Sequence, residues 1–136
     1  MEQFHLTDDL KTFYVKAASF RHGVKAAFDK LQNMLPTITG RTFFGISYME
    51  EGTNNIIYKA AVLESFDGEA EKYGCETFII KKGEYLTETI KDWMKKMGSI
   101  GPTFNILLED PRMDRTFPCV EWYKGDDVMC MVKINE

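Results

Sequence analysis

Apolar and polar residues alternate along most of this chain, and the alternation gives way to a helical period in two places. Residues 13–20 (FYVKAASF) mix aromatic, β-branched and small side chains and predict a strand. From about His22 the period changes: Val24, Ala27, Phe28, Leu31 and Leu35 fall on one face of a helix, which Pro36 stops. Strands are predicted over 41–50 and 55–65, joined as an antiparallel hairpin by the turn-rich Glu51-Gly52-Thr53-Asn54. A further strand is expected over 74–82. A second helix should follow, with Thr87 as N-cap, with Ile90, Trp93, Met94 and Met97 on one face, and with Gly98 just past its end. Gly98 to Pro102 reads as a turn. Strands over 103–109 and 117–124 come next, and 128–134 forms a last strand after the Lys124-Gly125-Asp126-Asp127 turn.

The predicted order is therefore β-α-β-β twice, over about 13–65 and 74–124, plus a C-terminal strand. A shift of about 62 residues lays Phe28 on Ile90 and Leu31 on Trp93. Identities are few, and the order of elements is what repeats. The expectation is one α+β domain spanning 1–136, in which tandem β-α-β-β modules form one antiparallel sheet with two helices on one face and a central ligand cleft.

Composition narrows the function. The 136 residues suit a single domain. Seventeen basic against 21 acidic residues leave a net charge of −4, and the densest basic cluster, Lys91, Lys95 and Lys96, is interleaved with Asp92. Phosphate contacts dominate nucleic-acid affinity, so direct nucleic-acid binding is not expected. The polar, acidic first ten residues have no secretory character and no apolar run reaches membrane length, so a cytoplasmic protein without membrane association is expected. The odd set Cys75, Cys119 and Cys130 lacks metal-site spacing and fits free thiols in a reducing compartment. Two histidines, His5 in a tail and His22 beside Arg21, support neither a catalytic triad nor a zinc site. No catalytic residue, metal or cofactor is expected.

One residue breaks the pattern of its strand. In 117–123, alternation puts Cys119, Glu121 and Tyr123 on one face and Val120 and Trp122 on the other. A carboxylate on the inner face of a sheet is costly unless it is paired or serves a ligand, whereas on a solvent-facing edge strand it means nothing. The chain is also rich in aromatics (10 Phe, 6 Tyr and 2 Trp), which serve cores and apolar pockets alike. Phe44 and Tyr48 share one face of their strand, and Met129 and Met131 could add adaptable walls.

Several segments in order resemble one known family. They are the amphipathic run from Val24 to Leu35 followed by Phe44-Gly45-Ile46-Ser47-Tyr48, then Ile57-Tyr58-Lys59-Ala60-Ala61-Val62, then Lys82-Gly83-Glu84-Tyr85. Trp93, Asp110-Pro111 and Val120-Glu121-Trp122-Tyr123 complete the series. Together they are similar to the GyrI-like effector-binding domains, the small-molecule-binding parts of multidrug-sensing transcription regulators, also found as free-standing proteins such as a gyrase inhibitor. The resemblance implies a ligand cleft between two β-α-β-β modules. It implies Glu121 as the acidic floor of that cleft, attracting lipophilic cations, with Tyr58, Tyr85 and Trp93 as ligand-binding aromatics and Phe44 and Tyr48 as further candidates. The family's late strand ends in a Pro-containing tripeptide, whereas here Lys124 takes that place and a strand follows. No helix-turn-helix segment is visible, so any role in transcription would need a protein partner. Two alternatives remain: a hydrolase of small electrophiles with Glu121 as base and Tyr85 or Tyr58 as donor, and a protein-interaction module of the gyrase-inhibitor kind.

Overall fold

The computed structural model describes residues 1–135. In chain order the elements are β1 (Glu2–Leu6), β2 (Leu10–Lys16), α1 (Val24–Met34), β3 (Phe43–Met49), β4 (Ile56–Leu63), the single-turn α2 (Glu69–Lys72), β5 (Glu76–Ile80), β6 (Gly83–Ile90), α3 (Ile100–Leu107), β7 (Cys119–Lys124) and β8 (Asp127–Lys133). The class is α+β and every strand pairing described is antiparallel, as the alternation predicts. The β-α-β-β order appears twice, as β2-α1-β3-β4 and as β6-α3-β7-β8. The chain divides into two compact units, Leu10–Ile80 on the one hand and Met1–Asp9 with Lys81–Glu136 on the other.

In the 10–80 unit the strands run in the order β3-β4-β2-β5. The helical face read from the sequence is the face that packs: Ala27, Leu31 and Leu35 are buried against Phe13, Tyr58, Ala60 and Val62. Leu31 is fully buried, a gain of about 1.5–3 kcal/mol for such a side chain. The chain enters α1 through Gly23, where a Cβ would come within 2.7 Å of the Ser19 carbonyl oxygen, so no larger residue fits this turn.

One anchor of this unit gave no sequence signal. Glu69, at the start of α2, accepts two hydrogen bonds from the Arg41 guanidinium (2.9 and 2.8 Å) and further ones from the Ser65 amide and hydroxyl. Arg41 also donates to the Leu63 carbonyl. Both side chains are nearly inaccessible, at 12% and 2% exposure. A buried pair of this kind is worth little against an apolar replacement, but breaking it strands a charge.

The other unit orders its strands β1-β6-β8-β7. Leu86, Ile90, Val128, Cys130 and Val132 form the sheet side of its core, and α3 supplies Phe104 and Leu107. Here the sequence reading needs correction in its elements. Residues 87–97 are not a helix. Thr87 to Ile90 complete β6, which pairs on both sides, with Thr87 opposite Glu2 of β1 and Met131 of β8. Asp92 then adopts a left-handed conformation (φ 51°), and Trp93–Lys95 and Met97–Ser99 form short 3-10 turns. The helix lies where a strand and a turn were expected. Ile100, Phe104, Leu107 and Leu108 carry its helical period, and Pro102 sits in the first turn, where its missing N–H costs nothing. The expected N-terminal tail is β1, an edge strand in register with β6 from Glu2↔Thr87 to Leu6↔Gly83. The strand expected over 74–82 forms as β5 but pairs with β2. No helix among the described residues is long and apolar enough to cross a membrane.

Burial raises the Glu69 carboxyl pKa, but the hydrogen bonds from Arg41 and Ser65 outweigh it, so the net shift is downward. Its contribution to stability is therefore complete above the unfolded-state value of about 4.3 and is lost as pH falls through the lower folded value. Glu69→Ala should cost about 3–5 kcal/mol in urea denaturation at pH 7, and much of that loss should return in the Arg41→Met/Glu69→Leu double variant. Equal losses in the single and double variants would contradict a stranded charge.

Candidate functional site

The pairing register decides what surrounds Glu121. Glu121 on β7 stands opposite Cys130 on β8, and Cys130 stands opposite Glu88 on β6. All three point to the face that also carries Leu86, Val128 and Val132, which α3 covers. Glu121 is 7% exposed. Two residues along the strand and on the same face, the Tyr123 hydroxyl donates a hydrogen bond to its carboxylate. Tyr123 in turn packs on Trp93, with ring centroids 5.2 Å apart and planes tilted by 58°. Trp93 is held by its backbone N–H, which donates to the Asp126 carbonyl, and by the Asp92 N–H, which donates to the Asp127 carboxylate. The β7–β8 turn thus sets the indole position.

The two neighbouring thiols feel both burial and the carboxylate. Burial first, and Glu121 second, push Cys119 up to about 11. Burial, then Glu121, Cys119 and Glu88, push Cys130 up to about 12. Both thiols are therefore protonated near neutral pH, and both are free. Among the described residues no cluster of three His, Cys, Asp or Glu could hold a metal ion.

The sequence candidates are divided between the two units. Trp93 and Glu121 come together through Tyr123, although Trp93 sits in a 3-10 turn rather than a helix. Tyr85 does not join them. It points to the opposite face of β6 from Glu88, is fully buried against Phe117, and gives its hydroxyl to the Lys81 carbonyl at 2.5 Å. Burial, with Asp9 adding to it, raises its phenol pKa. A hydrolytic role for Tyr85 beside Glu121 loses its donor on these grounds. Met129 and Met131 also lie on the face of β8 away from Cys130. In the 10–80 unit, Tyr58 is 3% exposed and packs in the core against Phe20 at a tilt (6.1 Å) and edge-to-face against Phe28 (6.2 Å). Phe44 is fully buried on the face of β3 away from α1, and Tyr48, 39% exposed, shares that face. Tyr123 is not among the sequence candidates; its one sequence signal is the alternation that places it on the face of Glu121. The unit containing Glu121 also has a depression of about 230 Å3 between Glu88, Thr103 and Ile106, and the 10–80 unit has one of about 420 Å3 beside Lys11, Glu64 and Glu76.

Neutralising Glu121 should lower both thiol pKa values, because its negative charge raises them. In Glu121→Gln, alkylation of Cys119 and Cys130 should therefore begin at lower pH than in the wild type, as followed by mass spectrometry. An unchanged pH profile would mean that the carboxylate is not charged beside them.

No protein-family model matches the sequence, and no curated protein matches it. Solved structures do match in fold. An integron cassette protein from the mobile metagenome of Vibrio cholerae aligns with a TM-score of 0.68 at 11% identity, covering 98% of this chain and 95% of that one. SAV2435, solved bound to tetraphenylphosphonium, aligns with a TM-score of 0.59 at 15% identity over 98% and 94% of the two chains. An uncharacterised conserved protein from Listeria innocua gives 0.56 at 10% identity over 98% and 91%. At these identities the likeness is one of fold, and the fold is one on which a small molecule has been seen bound.

Proposed function

We propose that this chain is a binding domain of the GyrI-like type for lipophilic cations, with Glu121 as the charge partner and Trp93 and Tyr123 as aromatic walls. The observation that carries this reading is the placement of Glu121. It is a carboxylate at 7% exposure on an apolar sheet face, hydrogen-bonded to a tyrosine that itself packs at a tilt on a tryptophan. A carboxylate so placed attracts a cation far more strongly than one in water, and adjacent ring faces add cation–π attraction. The order of family-like segments from Val24 to Tyr123 supports the same reading, as does the tetraphenylphosphonium bound by SAV2435. The acidic balance of −4, without a dense basic stripe, favours a cationic small molecule over nucleic acid.

Calorimetric titration with tetraphenylphosphonium tests the reading, with tetraphenylborate as the anion of matching shape. Saturable binding of the cation, and not of the anion, is expected. Glu121→Gln should weaken it on the order of 10- to 100-fold, matching the ~1.5–3 kcal/mol of a charged contact. Trp93→Ala should cost a further ~0.5–2 kcal/mol. Equal binding of the two ions, or an unchanged affinity in Glu121→Gln, would refute it.

A further inference from the structure

The 10–80 unit carries a second, differently charged constellation. On the face of its sheet away from α1, the Lys59 ammonium sits among three aromatic rings. It lies 4.5 Å from the centroid of Tyr14, 5.2 Å from that of Tyr48 and 5.8 Å from that of Phe78. Strand order explains the gathering, because β3, β4, β2 and β5 each contribute one of these residues side by side. The nearby carboxylate of Glu76 accepts the Tyr14 hydroxyl at 2.6 Å, which fixes that ring. Among the described residues Lys59 forms no ion pair with a carboxylate, although it is half-buried. Ring faces attract an ammonium, but they do not accept the charge-assisted hydrogen bonds that a carboxylate does.

We propose that this face is a binding site for planar aromatic carboxylates. The carboxylate of the ligand pairs with Lys59, and its ring lies against the exposed face of Tyr48 and its aromatic neighbours. The chemistry is the reverse of that at Glu121, and the site rests on residues of the 10–80 unit alone. A simple anion would satisfy the lysine and leave the exposed Tyr48 ring open to water. A neutral aromatic would cover the rings and leave the ammonium without an acceptor. Only a ligand carrying both groups answers both needs.

The test is calorimetric titration of the whole chain with 2-naphthoate, with acetate and 2-naphthalenemethanol as the anion-only and ring-only controls. Signals of Tyr48 and Lys59 are followed by NMR in parallel. Saturable naphthoate binding is expected, with both controls weaker by at least about tenfold. Lys59→Met should lose at least about tenfold in affinity, whereas Lys59→Arg, which keeps the charge, should stay within about threefold. Tyr48→Leu, at an exposed position, should also weaken binding and keeps the test open if Lys59→Met fails to fold. No saturable binding, equal binding of the neutral alcohol, or an unchanged affinity in Lys59→Met or Tyr48→Leu would overturn the proposal.

Discussion

Moving a carboxylate out of water costs several kcal/mol unless its surroundings restore what water supplied, and Glu121 sits where that cost applies. The local chemistry follows from it. A tyrosine hydroxyl two residues away donates to the carboxylate, a tryptophan backs the tyrosine, and a turn between neighbouring strands pins the tryptophan. The adjacent thiol pKa values, raised first by burial, are raised further by the Glu121 charge. A strand built only to pack against α3 would carry an aliphatic residue at this position, and the cation binding proposed for Glu121 is one role for the charge.

The scaffold makes that placement possible through register. Because side chains alternate, a slip of one residue in β7 would turn Glu121, Cys119 and Tyr123 away from the helix and bring Val120 and Trp122 under it. The β7–β8 pairing, from Val120↔Met131 to Lys124↔Asp127, excludes that slip. In the 10–80 unit the corresponding fixed points are the apolar face of α1 and the buried Arg41–Glu69 pair, which ties the approach to β3 to the start of α2. The two units thus present opposite chemistries, a carboxylate beside aromatics in one and an ammonium among aromatics in the other.

What could be read from the sequence was what depends on local pattern. The helical stripe from Val24 to Leu35, the β3–β4 hairpin, and the shared face of Cys119, Glu121 and Tyr123 are all periodicities of a single segment. What could not be read depends on partners distant in the chain. Ile90, Trp93, Met94 and Met97 have helical spacing, but β1 and β8 flank residues 83–90 and give that backbone two ladders, which override the local preference. The same event makes a strand of Glu2–Leu6, a segment whose polar sequence shows little until β6 is beside it. Ile100 to Leu108 was hidden by Gly101-Pro102, read as a turn although proline is tolerated in a first helical turn. At the site, the helix expected around Trp93 does not form, yet Trp93 reaches Tyr123, because the turn that holds it is anchored to β8. Arg41 and Glu69 are 28 residues apart, and neither position carries a pattern that announces the pair.

The most direct measurement is carbon-13 NMR of the Glu121 carboxyl together with the Trp93 indole N–H while tetraphenylphosphonium is titrated into the whole chain. Both signals are expected to move together and saturate at a common ligand concentration. A titration in which the ligand saturates while the Glu121 carboxyl signal stays in place would contradict a site built on that carboxylate.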